Sequence, residues 1–178
     1  MKLRLSTDEM LSQWRMRRAL EPLRSDCTVE RIDGIDIDTF LKMEMREWYL
    51  NLLDTAPPHL LTLTDIASSR PITFNDDHSA TITLPPECRR VIGLYIDSSP
   101  LPLTLLKADS PLAICQQNPF SRSGTTTPIA ILHHDHVTIY GGNSNFTLSR
   151  LLCVMEPANG YYELDEAALS LISKLPLP

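Results

Sequence analysis

The sequence lacks the residue patterns that mark common classes of enzyme site. It contains no GxGxxG or GxxxxGK[ST] phosphate loop, no HExxH zinc motif and no GxSxG nucleophile turn. Gly141-Gly142-Asn143 and Ser123-Gly124-Thr125 look like fragments of such motifs, but turn and loop positions explain them better. The sequence therefore predicts a protein that is not an enzyme, with no catalytic residues, no metal ligands and no cofactor.

Glycine is scarce and basic residues are outnumbered. Six glycines stand against fourteen prolines, and proline stiffens turns and edge strands, so we expect rigid corners in a β-rich part. The formal net charge of −6 argues against a general nucleic-acid binder, which needs a basic face. The 43% of hydrophobic residues among 178 fits one globular domain with a real core.

Long apolar runs and paired cysteines are also missing. The N-terminal residues MKLRLSTDEM contain no apolar core of a signal peptide, and no run approaches the length of a membrane span. Cys27, Cys88, Cys115 and Cys153 form no CxxC pair. Scattered cysteines predict reduced, partly buried thiols of a cytosolic product, while an even number leaves disulfide pairing open.

Two helices are predicted at the front of the chain. Ser6 and Glu9 have the spacing of a capping box, and the helix that they open should end near residues 19–21, before Pro22. A second helix, with Asp38 as its N-cap, should end at Pro57-Pro58. Its apolar positions form a wide stripe at helical spacing: Phe40, Leu41, Met45, Trp48, Tyr49, Leu52 and Leu53.

From Pro71 the apolar period changes to two, which predicts short antiparallel strands. Residues 101–106 are expected to return beside the strand that precedes them, and 128–133 with 136–140 should form the clearest hairpin. The expected strands are 72–74, 80–84, 89–97, 101–106, 128–133, 136–140 and 147–155.

Three further segments complete the prediction. Ser110-Pro111 should cap a short helix over residues 112–117. Residues 118–127 are polar and form the longest expected loop. Asp165 should cap a last helix that runs to Leu175.

The order of these elements predicts an α+β fold, because strands do not alternate with helices as in a parallel sheet. We expect N-terminal helices, an antiparallel β-rich middle that forms a sheet or a small barrel or sandwich, and a short C-terminal helix. Residues 1–178 should form a single unit, with a helical part over 1–69, a β-rich part over 70–162, and a terminal helix and tail over 163–178.

The most tempting site for chemistry is His133-His134-Asp135-His136, since imidazole and carboxylate are common metal ligands. Neighbouring residues of a hairpin point to opposite faces, however, so His133 and His134 should not converge on one ion. The segment is therefore interpreted as a polar hairpin tip. Asp76-Asp77-His78 is interpreted in the same way, because it lacks the alternating oxygen ligands of a calcium loop.

The cysteines and the uneven distribution of charge each allow more than one interpretation. Cys88 and Cys115 have no histidine nearby in sequence, so a thiol nucleophile would need a partner brought close by folding. Residues 1–24 hold six basic and three acidic residues, and residues 25–69 hold three basic and nine acidic ones. These segments are interpreted mainly as two solvated faces, with pairing inside the chain or between subunits as the alternatives.

Arginines and aromatics of the predicted helices have two interpretations each. The basic residues of the first helix fit contact with an acidic protein partner better than contact with phosphates. The large aromatic side chains are expected in the core, with interface anchors as the alternative. The residues concerned are Arg15, Arg17, Arg18, Arg24, Trp14, Trp48 and Tyr49.

The chain resembles the head–tail adaptor, or neck, proteins of tailed phages and prophages, including those of Bacteroidales. The resemblance begins near Asp38 and includes REWYLNLLDTAP, LPPECRRVIGLYIDSSPLPLTLL and QQNPFSRSGTTTPIAIL. Two segments carry the resemblance. The first leads into a strand, and the second is a loop that leads into a hairpin. They contain Leu84-Pro85, Arg90-Val91, Gln117-Asn118-Pro119, Arg122, Gly124 and Pro128.

The resemblance implies a structural virion protein without enzymatic activity. Such a protein packs into a ring of about twelve copies under a portal, contacts tail or neck proteins and lets DNA pass without specific binding. It would be made in the host cytoplasm and has no membrane partner. Two alternatives stay open: a bacterial non-enzymatic binding module, cytoplasmic if not phage-derived, and a small metal-dependent hydrolase that uses the tip from His133 to His136.

Overall fold

Four α-helices and ten strands give the computed structural model of this chain a mixed α+β fold, with about 34% of residues in strands. The structure describes residues 1–18, 36–99, 101–124, 127–141, 145–158 and 160–175. The helices are α1 (Thr7–Arg17), α2 (Ile37–Thr55), α3 (Pro111–Cys115) and α4 (Glu166–Leu169). The strands are β1 (Lys2–Ser6), β2 (Leu63–Asp65), β3 (Ile72–Phe74), β4 (Ser79–Thr83), β5 (Cys88–Ile96), β6 (Thr104–Lys107), β7 (Ile129–Leu132), β8 (His136–Tyr140), β9 (Leu148–Met155) and β10 (Tyr161–Asp165).

The α+β prediction is confirmed, including the short C-terminal helix. The described strands form open sheets and no closed barrel. Contacts divide the chain into two compact units, here unit 1 (Met1–Thr62 with Glu156–Pro178) and unit 2 (Leu63–Met155). This grouping crosses the predicted boundaries at residues 69 and 162, because the first and last strands belong to the same unit. That all 178 residues behave as a single domain stays a prediction.

Unit 1 contains helices and one antiparallel ribbon. Strands β1 and β10 pair in register from Lys2 with Asp165 to Ser6 with Tyr161. Neither strand was predicted from the sequence. The first predicted element was the helix that Ser6 opens, and no element was predicted for residues 161–165 except that Asp165 caps the last helix. In β10 the buried residues are Tyr162 and Leu164, a period of two that the short segment shows too briefly to be decisive.

The capping box of α1 is confirmed. The backbone N–H of Ser6 donates to Glu9 Oε2 at 2.8 Å, and the N–H of Glu9 donates to Ser6 Oγ at 3.4 Å. Helix α1 ends at Arg17, and its predicted end at residues 19–21 lies outside the described residues.

The predicted N-cap of α2 is wrong by two residues. Asp36, with φ −59° and ψ 132°, caps the helix by accepting from the N–H of Asp38 at 3.3 Å. Asp38 already lies in the first helical turn, where a carboxylate also interacts favourably with the helix dipole. The cause of the error is that both aspartates precede the apolar stripe, and only the backbone conformation distinguishes them.

The last predicted helix is shorter than expected. Asp165 caps it as predicted, accepting from the N–H of Ala167 at 3.0 Å. Helix α4 ends at Leu169, and the chain then tightens into a 3-10 turn over Ile172–Lys174. The hydroxyl of Ser170 donates to the carbonyl of Ala167 at 2.7 Å, a local bond that competes with continued α-helix.

Unit 2 contains two sheets that share one core. Strands β2, β9 and β5 form an antiparallel sheet in that order, and β3, β4, β8, β7 and β6 form a mixed one. The hairpins β3–β4 and β7–β8 match the prediction. A single hydrophobic cluster takes side chains from both sheets, among them Ile82, Leu94, Ala130, Ile139, Leu151 and Cys153.

The predicted return of residues 101–106 beside β5 is wrong. Strand β6 pairs in parallel with β7, from Thr104 with Ile129 to Lys107 with Leu132. Leu103 alone reaches β5, by donating its N–H to the carbonyl of Leu94 at 2.8 Å. A parallel pair needs a long crossover connection, and α3 with the loop after it supplies one. Helix α3 begins after Ser110, as predicted.

No helix in the described part of the chain is both long and apolar enough to span a membrane.

Candidate functional site

The opposite charges at the front of the chain pair with one another inside the protein. The Arg18 guanidinium lies 3.3 Å from Glu44, and Lys42 Nζ lies 3.7 Å from Asp8. Arg15 also forms an ion pair with Asp38. These contacts join α1 to α2, which supports the alternative of pairing within the chain. The side chains of Arg15, Asp38, Lys42 and Asp8 stay at least 40% exposed, as the favoured interpretation of solvated faces expects. Arg17 donates to Gln13, and Arg24 lies outside the described residues.

The aromatic residues of α1 and α2 lie mainly in the core of unit 1. Trp14 and Tyr49 are fully buried, and Trp48, which is half-buried, meets Trp14 edge to face with ring centroids 5.5 Å apart. The core interpretation of Trp14 and Tyr49 is thereby confirmed. Phe40, predicted in the buried stripe, is exposed.

Tyr49 connects α2 to the backbone of β10. Its hydroxyl donates to the carbonyl of Glu163 at 3.1 Å and accepts from the N–H of Glu163 at 2.9 Å. The ring lies edge to face against Tyr162, 4.9 Å away. Burial raises the pKa of Tyr49 to about 12, so the hydroxyl stays protonated and fixed.

A second stripe of α2 faces away from the buried one and forms a shallow groove, named here the α2 face. Met43 is 65% exposed at its centre. Charged residues surround it, so the face has an apolar middle and a polar border. The α2 face consists of Thr39, Lys42, Met43, Arg46, Glu47 and Leu50.

A second group of exposed apolar side chains lies in unit 2, on α3 and the loop that follows it. Leu112 and Ile114 are mostly exposed on the helix, and Phe120 on the loop is 99% exposed. We name Leu112, Ile114 and Phe120 the α3 patch. Exposed single apolar residues are common, but three within nine residues form an unusual concentration for a short helix and loop.

Arg122 fixes the loop that carries Phe120. Its Nε donates to the carbonyl of Gln116 at 2.8 Å, and its terminal nitrogens bond Asp77 on the β3–β4 turn. The guanidinium also lies 5.3 Å from the ring centroid of Tyr140. Three partners from three separate segments hold this one side chain, so the loop is tied to the sheet.

Gln116 fixes the same loop from the other side. Its side chain is buried, and its Oε1 accepts from the N–H of Ser123 at 2.7 Å. The N–H of Phe120 donates to Asn118 Oδ1 at 3.0 Å. Gln117, Asn118 and Arg122 belong to the segments that resemble neck proteins. The hydrogen bonds of this loop could not be predicted from the sequence, because the partners are distant in sequence or are backbone groups.

The histidine tip from His133 to His136 lies at the turn between β7 and β8, as predicted. The rings of His133 and His136 stack, with centroids 4.3 Å apart and planes inclined by 11°. Asp135 Oδ1 lies 2.6 Å from His136 Nδ1. Burial and the neighbouring His136 lower the pKa of His133. Stacked rings do not aim their nitrogens at a common point, and in the described ranges no three His, Cys, Asp or Glu residues form a group able to hold a metal ion.

The second polar tip, Asp76-Asp77-His78, has the turn chemistry expected of it. Asp77 Oδ1 accepts from the N–H and the hydroxyl of Ser79, at 3.1 and 2.6 Å, and these bonds lower the pKa of Asp77. His78 takes a left-handed conformation, with φ 61°.

Gly141 follows β8 with φ +82°, and an added Cβ would lie 2.5 Å from the carbonyl oxygen of Gly124. A close backbone approach explains this glycine without any ligand. Gly142, Asn143 and Thr125 lie outside the described residues.

Three cysteines are described, and all are free thiols: Cys115 is exposed, Cys88 is half-buried and Cys153 is buried. Cys27 lies outside the described residues.

These features describe an α+β protein with two groups of exposed apolar side chains, the α2 face and the α3 patch. Comparisons with protein-family models, curated proteins and solved structures found no match.

Proposed function

We propose that this protein is a non-enzymatic structural component of a tailed-phage-like particle, where copies pack side by side in a ring that joins capsid to tail. The observation that carries the proposal is Phe120, which is 99% exposed on a loop held by Arg122 and Gln116. An aromatic side chain on a loop whose backbone is already held needs little further ordering of that backbone on docking, and such anchors dominate the energy of protein interfaces.

A second copy of the same chain is the proposed occupant of these surfaces. Each chain carries two different apolar surfaces, the α2 face in unit 1 and the α3 patch in unit 2. Contact between two different surfaces is heterologous, and repeated heterologous contacts close into a ring when the rotation allows it. The polar border of the α2 face, with Lys42, Arg46 and Glu47, matches the usual anatomy of an interface with an apolar centre.

The resemblance to neck proteins supports the same proposal. The loop cues Gln117-Asn118-Pro119, Arg122 and Gly124 surround Phe120, so the quoted motif and the exposed anchor occupy one segment. The net charge of −6 suits a conduit through which DNA passes without binding. In this proposal the protein is made in the host cytoplasm and resides in the virion.

The mass of the protein in solution tests self-association through Phe120 and Met43. We expect the mass by light scattering to rise in multiples of 20.1 kDa as concentration increases. Phe120→Asp and Met43→Asp should each hold the protein at the monomer mass, since a buried unpaired charge opposes docking. Leu101→Asp and Met16→Asp change exposed apolar residues outside the two surfaces and should behave like wild type.

A wild-type protein that stays monomeric, with the same mass as Phe120→Asp, would favour the alternative of a monomeric binding module. The position of the gene tests the phage part of the proposal separately. We expect a portal or large terminase gene beside it. A position among unrelated metabolic genes, in a chromosome without a prophage, would refute that part.

A further inference from the structure

Cys88 and Cys153 lie on neighbouring strands of the three-stranded sheet. The register pairs Cys88 with Met155 and Val91 with Cys153, which makes the two cysteines diagonal neighbours across β5 and β9. Both contact the hydrophobic cluster of unit 2, so their side chains point to the same face. Diagonal residues on one face of an antiparallel pair are the next neighbours after those directly opposite, and the register shift between Cys88 and Arg90 bends β5 at this point.

The two thiols influence each other's ionisation, and their surroundings make them unequal. The hydrogen bond from Cys153 and a further one from the backbone N–H of Arg90 lower the pKa of Cys88. The bond with Cys88, together with burial, raises the pKa of Cys153. Cys88 therefore ionises first while Cys153 keeps its proton, as expected for a thiolate stabilised by a neighbouring thiol.

A positive group lies close to both thiols. The charge of Arg70 acts on Cys88 and on Cys153 and favours their ionised forms, while Asp65 opposes ionisation of Cys153. The Nε of Arg70 is buried and has no hydrogen-bond partner among the described atoms. An electropositive, partly accessible setting is the one in which cysteines react.

We propose that Cys88 and Cys153 form a redox-sensitive dithiol, in which a hydroperoxide oxidises Cys88 and Cys153 then closes a disulfide between β5 and β9. In the first step the Cys88 thiolate attacks one oxygen of the hydroperoxide. An S–O bond forms, the O–O bond breaks, and the departing alkoxide or hydroxide takes a proton from water. Cys88 becomes a sulfenic acid, oxidised by two electrons, and the hydroperoxide is reduced to an alcohol or water.

In the second step the Cys153 sulfur attacks the sulfur of Cys88. An S–S bond forms, the S–O bond breaks, and the leaving hydroxide departs as water with the proton of Cys153. Cys88 is the half-buried member of the pair and Cys153 the buried one, so the oxidant reaches the thiol that ionises first. This proposal is independent of the proposed ring, because neither cysteine belongs to the α2 face or to the α3 patch.

Hydrogen peroxide is the probe in the main experiment, applied to the full chain carrying Cys27→Ser and Cys115→Ser so that two thiols remain. We expect the intact mass to fall by two hydrogen atoms and to return to its first value with dithiothreitol. Peptide mapping should join Cys88 to Cys153. Adding Cys153→Ala should abolish the disulfide and leave a Cys88 sulfenic acid that dimedone traps, and adding Cys88→Ser should abolish both products.

The proposal fails if peroxide adds oxygen to the two-thiol protein without closing a disulfide, or if the product is a dimer linked between chains. A second measurement on the unsubstituted protein guards against variants that do not fold. Iodoacetamide alkylation, mapped by peptide, should modify Cys88 before Cys115 at neutral pH, although Cys115 is the more exposed. The reverse order would also overturn the proposal.

Discussion

Replacing Tyr49 by phenylalanine removes the hydroxyl that bridges the edge of β10 and keeps the ring. The Glu163 N–H and C=O then lose their partner, at 2.9 and 3.1 Å, while the edge contact with Tyr162 remains. Leaving buried polar groups unpaired costs about 1–3 kcal/mol. We therefore expect Tyr49→Phe to lower the free energy of unfolding of unit 1 by about 2 kcal/mol at neutral pH.

The same hydroxyl makes this loss depend on pH. The pKa of Tyr49 is raised from 10.0 to about 12 by burial, so above pH 10 the unfolded chain releases its tyrosine proton first. The unfolded state then binds fewer protons than the folded state, and stability falls as pH rises through this range. A pKa shift of this size corresponds to about 2–3 kcal/mol of unfolding free energy. Wild type should lose this stability as the pH rises through this range, and Tyr49→Phe should not.

The assay is urea unfolding followed by circular dichroism, from neutral pH up to the pKa of Tyr49. Tyr161→Phe is the matched control, because Tyr161 is exposed and meets Arg4 through its ring face. It should change stability by less than about 0.5 kcal/mol. Equal losses for both variants would refute the reasoning. A difference between wild type and Tyr49→Phe that stays constant with rising pH would refute the titration part alone.

Three further changes test other contacts. Gly141→Ala should lower the melting temperature and cost more than about 2 kcal/mol, because φ is +82° and the new Cβ would lie 2.5 Å from a backbone oxygen. Glu44→Gln should cost about 1–3 kcal/mol in urea unfolding, since it removes the charge partner of Arg18, whose side chain is 3% exposed. The hydrogen bond from the N–H of Leu151 lowers the pKa of Asp65. The unfolded chain therefore binds more protons in acid, and stability falls as pH drops through the carboxyl range. Asp65→Asn should make that fall shallower.

Each of these changes has a control on the same chain. Gly124→Ala meets no atom within 4 Å and should leave the melting temperature unchanged, and so should Glu47→Gln on the exposed α2 face. Asp76→Asn, at an exposed turn position, should keep the acid slope of wild type. If a control variant lost as much stability as the variant it is compared with, the contact proposed for that variant would not be the cause of the loss.

The fold class and most elements followed from the sequence because they depend on local signals. The capping box at Ser6, the wide stripe of α2 and the period-two segments of both hairpins each lie within a few residues. The errors in strand pairing have a common origin in contacts between distant residues. Pairing of β6 with β7 depends on a crossover, and β1 with β10 joins segments that sequence reasoning considers separately.

The candidate surfaces were predicted less completely than the fold. Phe120 lies in a segment that the sequence identifies only as a long polar loop, yet Arg122 fixes that loop through Asp77, which precedes it by 45 residues. The thiol pair was missed for the same reason, because Cys88 and Cys153 meet only through the register of β5 and β9. Their spacing in the sequence carries no signal of that meeting.

The pairing of β1 with β10 sets an order for folding during synthesis. Lys2 is paired with Asp165, so β1 leaves the ribosome long before β10 and stays without this partner until β10 has emerged. Unit 2 is complete once residue 155 has emerged and can fold while residues 2–6 are still unpaired, since nascent chains fold by units. We expect ribosome-bound chains whose exposed part ends before β10 to resist protease in unit 2 and to be cut in unit 1. Equal resistance of both units in such chains would contradict this order.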